Sequence, residues 1–174
     1  GKYPKELETT MDTVARVSGL RKRYGQYLAV DGISFEVGRG EIFGLLGPNG
    51  AGKTTTLECM EGLRSPDAGQ VDLLGVDPAR EPARLAAIIG VQLQTSGLPE
   101  TISAREAMAL FCAYHRVAPR FDLLDRLGLR EKLEAQYHSL STGQQRRLAL
   151  ALAVAHNPPL VILDEPTAGL DVGS

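Results

Sequence analysis

A chain of 174 residues with a formal charge of -2 and a sequence pI of about 6.0 carries no bulk electrostatic attraction for nucleic acid or an anionic membrane. Its 43% hydrophobic and 23% charged residues are an ordinary globular mixture, long enough to bury the core of one domain with a subdomain. No apolar run reaches the roughly 18 residues of a bilayer span.

The opening, "GKYPKELETTMD" (1–12), is polar and has no apolar h-region, so no signal peptide is expected there. It is expected to be an appended or disordered start, with Met11 the candidate native beginning and the product cytosolic. "TVARVSGL", "ISFEV" and "EIFGLLG" read as strands, separated by turn signals at Tyr24-Gly25, Asp31-Gly32 and Gly38-Arg39-Gly40. "KTTTLECMEGL" is a helical run that Gly62 can close. "GQVDLLG" (69–75) and "AAIIGVQLQ" (86–94) predict two further strands.

From about Ile102 to Asn157 the pattern turns helical, with apolar residues at three-to-four spacing in "SAREAMALFCAYHR" and "FDLLDRLGLREKLEAQ". The longest apolar stretch, "LALALAVA" (148–155), lies in this part. "PPLVILDE" then returns to a strand of the fully buried kind found in parallel sheets. The order is therefore β, glycine-rich loop, helix, β, helical insertion, β, an α/β chain. Four stretches are expected: the start (1–12), a β subdomain with the first part of the core (13–95), a helical subdomain (96–157) and a last core strand with its loop (158–174). Cys59 and Cys112 have no ligand or redox spacing and are expected as buried small hydrophobes in a reducing compartment.

"GPNGAGKT" (47–54) matches GxxxxGK[ST] between a strand and a helix. That is where backbone N–H groups and a helix N-terminus can wrap a polyphosphate. Gly47, Pro48, Asn49, Gly50, Ala51, Gly52, Lys53, Thr54 and Thr55 are the candidate binding residues. Lys53 would reach the outer phosphates and Thr54 would give its hydroxyl to Mg2+. A kinase, a GTPase and a transport ATPase all remain open on this motif alone. Four apolar residues in "LVILDE" bury a strand whose end delivers Asp164 and Glu165, where parallel sheets bind ligands. Asp164 is expected to hold Mg2+ through water, and Glu165 to polarise the attacking water.

"LSTGQQRR" (140–147) opens with an S-x-x-Q capping box at Ser141 and Gln144, heading a helix expected to run to Asn157 before Pro158-Pro159. Phosphate loop, "LSTGQ", "LVILDEP" and "AGLD", in that order, resemble the ATP-binding-cassette ATPase over nearly the whole chain from about Val14. The resemblance implies a P-loop NTPase (RecA-like) core with an N-terminal antiparallel β subdomain and an inserted α-helical subdomain. It implies two such domains pairing head to tail around two ATP molecules. Ser141, Gly143 and Gln144 of one copy would then face the phosphate loop of the other. Tyr24 matches the aromatic that stacks on adenine, with Val30 on the nucleotide side. Gln94 matches the glutamine that contacts Mg2+ and water, with Gln92 as a rival. Asp171 matches the aspartate that communicates across the dimer.

Three departures stand out. Thr142 replaces the second glycine of the family's LSGGQ signature, and its side chain is expected to crowd the opposite phosphate. No histidine follows Glu165, and His115, His138 and His156 all precede it. His115 and His138 read as helical or surface residues, and His156 as a helix C-terminal residue where a protonated imidazole is favoured. The closing core elements of the family are not in the sequence, so this stretch is expected to bind nucleotide but hydrolyse it poorly.

"SPDAGQVDLLGVDP" and "IGVQLQTSGLPETISAREAM" resemble bacterial multidrug and antibiotic exporters. That likeness implies an ATPase subunit at the inner face of the membrane, held there by a transmembrane permease. The competing reading is a soluble, non-transport member of the superfamily acting on ribosomes or nucleic acid. A basic stripe with interleaved aromatics is lacking, so no nucleic-acid partner is expected. A small GTPase would need an NKxD-type motif, and none occurs.

Overall fold

The computed structural model of the chain describes residues 12–92 and 97–163. The backbone falls into two compact units, 1–85 and 86–174.

The first unit is built on a long antiparallel hairpin, β1 (Thr13–Tyr24) and β2 (Tyr27–Gly38). Tyr24 pairs with Tyr27 across its turn. Strand β3 (Ala68–Leu73) adds to the free edge of β1, giving the order β2-β1-β3. Ala15 faces Leu73 and Val17 faces Val71, and all four are buried. Side chains alternate across a strand, so Leu20 would point outward if the register were regular. A slip between Val17 and Leu20 resets the phase and buries Leu20 completely.

Helix α1 (Lys53–Met60) follows the glycine-rich loop and buries Thr56, Cys59 and Met60. Helix α2 (Pro82–Ile88) carries the chain from the first unit into the second.

In the second unit β4 (Ile89–Gln92) and β5 (Leu160–Leu163) pair in parallel, Ile89 with Leu160 through Gln92 with Leu163. Between them come α3 (Ala104–Tyr114), α4 (Phe121–Arg126) and α5 (Thr142–Val154), with 3-10 turns at Arg130–Lys132 and Tyr137–Ser139. Their shared core holds Met108, Cys112, Leu124, Leu129, Leu148 and Ala151. Gly90 lets α5 lie directly on β4, because a Cβ there would come 1.9 Å from the Ala153 carbonyl oxygen. Among the described residues no helix is long and apolar enough to cross a membrane.

Several local expectations change. "EIFGLLG" forms no strand: residues 41–48 are irregular, with Ile42 and Leu46 almost wholly exposed. An apolar run becomes a buried strand only where ladder partners flank it, and no described strand pairs with it. Asp31-Gly32 is no turn either. Gly32 sits inside β2 at φ +73, where the β1–β2 register slips, so the positive φ serves a bulge. Ala86, Ala87 and Ile88 belong to α2, and the strand starts only at Ile89. α5 ends at Val154, and Asn157 closes the turn with φ +55. Cys59 and Cys112 are free and buried as expected.

Candidate nucleotide-binding site

The phosphate loop lies in the first unit against β2. Gly52 caps α1 in the left-handed region at φ +81, and no side chain caps that helix. Its first-turn N–H groups therefore have no side-chain acceptor, which leaves the helix end suited to an anion. A Cβ at Gly52 would lie 2.2 Å from the Ala29 carbonyl oxygen and 2.9 Å from Val30 Cγ2. Only glycine therefore lets the loop rest on β2, and Val30 is buried behind it. Thr56 anchors the same turn, its hydroxyl donating to the Gly52 carbonyl at 2.8 Å.

Several of the loop's polar groups bond within the loop itself. The Lys53 ammonium donates to the Gly47 carbonyl and, at 2.9 Å, to that of Pro48. The Ala51 N–H donates to Pro48 at 3.1 Å. Asn49 and Gly50 are exposed, Thr54 is exposed in the first turn of α1, and Thr55 is half-buried beside it.

Tyr24 ends β1 partly exposed. The Arg64 guanidinium lies 5.3 Å from its ring centroid and the Lys22 ammonium 5.9 Å, within reach of cation–π attraction. Asp67 fixes this corner by accepting from the Arg23 N–H at 2.7 Å and from Lys22 at 3.0 Å. Those bonds hold its carboxyl below the ordinary range, the Arg23 N–H contributing most.

In the second unit Ser141 caps α5, with the reciprocal bonds of a capping box. The Gln144 N–H donates to Ser141 Oγ at 3.2 Å, and the Ser141 N–H to Gln144 Oε1 at 2.9 Å. Ser141, Thr142 and Gly143 are exposed, and a Cβ at Gly143 would meet nothing within 4 Å. Gln92 is buried and its amide donates to the Arg146 carbonyl at 3.4 Å, so β4 is tied to α5. Gln94, Asp164, Glu165 and Asp171 lie outside the described residues.

Residues 30–168 match the family described as ABC transporter. The chain belongs to that family.

Among curated relatives this ABC-family chain is 41% identical over 164 residues to "Nod factor export ATP-binding protein I" of Ralstonia nicotianae, covering 91% of this chain and 51% of that protein. It is 44% identical over 159 residues to the protein of the same name in Burkholderia thailandensis, covering 87% and 52%. It thus spans about half the length of the curated relatives it matches. Among solved structures, an ATP-binding subunit of an ABC transporter superposes with a TM-score of 0.83 at 28% identity, covering 92% of this chain and 69% of that one. CbiO1 from Clostridium perfringens, part of the ABC transporter complex cbiONQ, gives 0.76 at 30% identity, covering 92% and 68%. The fold is the P-loop ATPase fold of these neighbours.

Two features of this ABC-family chain escape a reading of motifs. Tyr27, the first residue of β2, donates its hydroxyl to the Gly50 carbonyl inside the loop at 2.9 Å. His156 packs inward past the end of α5 rather than capping it. It stacks on His115 with ring centroids 3.9 Å apart, its Nε2 meets the Ile89 carbonyl at 3.1 Å, and its Nδ1 is buried without a partner. Burial pushes both imidazoles below their ordinary pKa, and the facing ring lowers that of His115 further. Neither contact has a sequence signal, because each joins residues that only the hairpin or the helix packing brings together.

Proposed function

We propose that this chain is the ATP-binding and ATP-hydrolysing part of a subunit that powers an ABC-type membrane transporter, an exporter. The observation carrying this reading is a glycine-bedded phosphate loop followed, in one chain, by a capping-box helix exposing Ser141 and Gly143. The export ATP-binding proteins at 41% and 44% identity support the transport class.

In this reading the phosphate loop and the uncapped start of α1 bind the α- and β-phosphates, and Lys53 leaves its carbonyl partners for the outer phosphates. Tyr24 stacks on adenine, and Arg64 and Lys22 hold its ring in place. Glu165 accepts a proton as water attacks the γ-phosphorus and the bond to the ADP oxygen breaks. Thr54, Asp164 and Gln94 would hold Mg2+. Thr54's exposed hydroxyl on α1 is the hard oxygen donor such an ion takes, and the ion would neutralise phosphate charge. Ser141 and the N–H groups around Gly143 close the site from a second copy in a head-to-tail dimer. The subunit works at the inner face of the membrane, on the cytoplasmic side, docked on a transmembrane permease.

The test is expression at natural full length with the membrane partner, followed by a substrate screen for stimulated ATP hydrolysis. Stimulation that disappears in Glu165→Gln is the expected result. Isolation with ribosomes or nucleic acid, and no stimulation by any exported compound, would replace the transport reading.

A further inference from the structure

We propose that Tyr27 is a positioning residue of the nucleotide site, whose hydroxyl latches the phosphate loop in a self-bonded form that a polyphosphate must open. This deepens the nucleotide-site reading and rests on it. Two of the groups suited to phosphate are already engaged: the Ala51 N–H on the Pro48 carbonyl, and the Lys53 ammonium on the Gly47 and Pro48 carbonyls. The Gly50 carbonyl and the Ala51 N–H belong to one planar peptide, so turning one end turns the other. Tyr27 holds the carbonyl end at 2.9 Å, and so keeps the N–H end directed at Pro48. Freeing that N–H for a phosphate oxygen requires the carbonyl to leave Tyr27.

Tyr27 is well placed to resist this. It is the first residue of β2, paired with Tyr24 across the hairpin, while Gly52 two residues along the loop is seated on Ala29 of the same strand. The loop is thus pinned to β2 at two points, one by packing and one by a hydrogen bond. The Gly50 backbone, at φ +83, is the freer of the two, since glycine crosses φ/ψ space with little steric penalty. The hydroxyl acts on the loop and not on the base.

The latch predicts a specific pattern in the full chain carrying Tyr27→Phe. Equilibrium binding of ATP and of inorganic tripolyphosphate should tighten together, by about two- to tenfold, the size of one net hydrogen bond. The melting temperature without ligand should fall by only a few degrees, because the same single hydrogen bond is lost from the unliganded fold and Tyr27 is otherwise 56% exposed. Tyr27→Leu should reproduce the effect, since it too lacks the hydroxyl. Affinity that is unchanged or weaker overturns the latch. A change for ATP but not for tripolyphosphate also overturns it, because Tyr27 would then be a base contact. A wild-type chain that binds neither ligand defeats the nucleotide-site reading and the latch with it. A wild type that binds while both variants bind no tighter defeats the latch alone.

Discussion

At the scale of single residues, two glycines of the family motifs stand in opposite surroundings. Gly52 is held by sterics on both counts, since its φ is +81 and a Cβ would lie 2.2 Å from Ala29 O. Gly52→Ala should therefore cost about 2–4 kcal/mol of stability, seen as a lowered midpoint in thermal or urea unfolding. Gly143 is helical, and a Cβ there meets nothing within 4 Å. Gly143→Ala should leave stability unchanged or raise it by up to about 1 kcal/mol through better helix propensity. If ATP turnover of the assembled transporter nevertheless falls, the bare backbone at Gly143 serves a ligand from outside this copy. Thr142, also exposed, tests the same surface in reverse, and Thr142→Gly should raise turnover. Equal rates would remove the argument that its side chain crowds the opposite phosphate.

Among the elements, α5 joins the two ends of the second unit. At its start Ser141 and Gln144 satisfy one another's N–H groups, and Ser141→Ala should cost about 1 kcal/mol in the unfolding midpoint. Beyond its end, His156 stacks on His115, the C-cap residue of α3, and bonds the first residue of β4. The rings are also flanked by Phe111 and Tyr114, neither of which supplies a charge. With Nε2–H donating to Ile89, protonation would add an N–H at the buried, unpartnered Nδ1, which agrees with the lowered pKa. A histidine whose pKa falls on folding stabilises the fold fully above its unfolded value. That stability is lost as pH drops below the ordinary 6.5 and through the folded value. Unfolding midpoints should therefore decline from about pH 7 to pH 5, and the decline should be shallower in His156→Gln.

For the whole molecule, the transport reading predicts that the full-length protein co-purifies with an integral membrane protein. Capture with ribosomes instead would count against it. The site was legible in proportion to how local its chemistry is. A phosphate loop is eight consecutive residues, and a capping box is closed by residues three apart, so both could be read from spacing alone. The same holds for α3, where Ser103 and Glu106 form the second capping box. What spacing could not supply was the state of partners distant in the chain. "EIFGLLG" has a strand's composition yet stays irregular, because a strand exists only when another lies beside it. "AAIIGVQLQ" is split between α2 and β4, since a short apolar run suits either conformation until its neighbours choose. His156 carried a helix-end prediction that burial against His115 reversed. The sequence by itself determined the family, the order of the motifs and the residue types proposed to face a polyphosphate, because those demands act over a few adjacent peptides. Only the tertiary structure decided that Tyr27 meets Gly50, that Gly52 rests on Ala29 and that two histidines stack. Such contacts depend on where long-range pairing and packing place residues that nothing local connects.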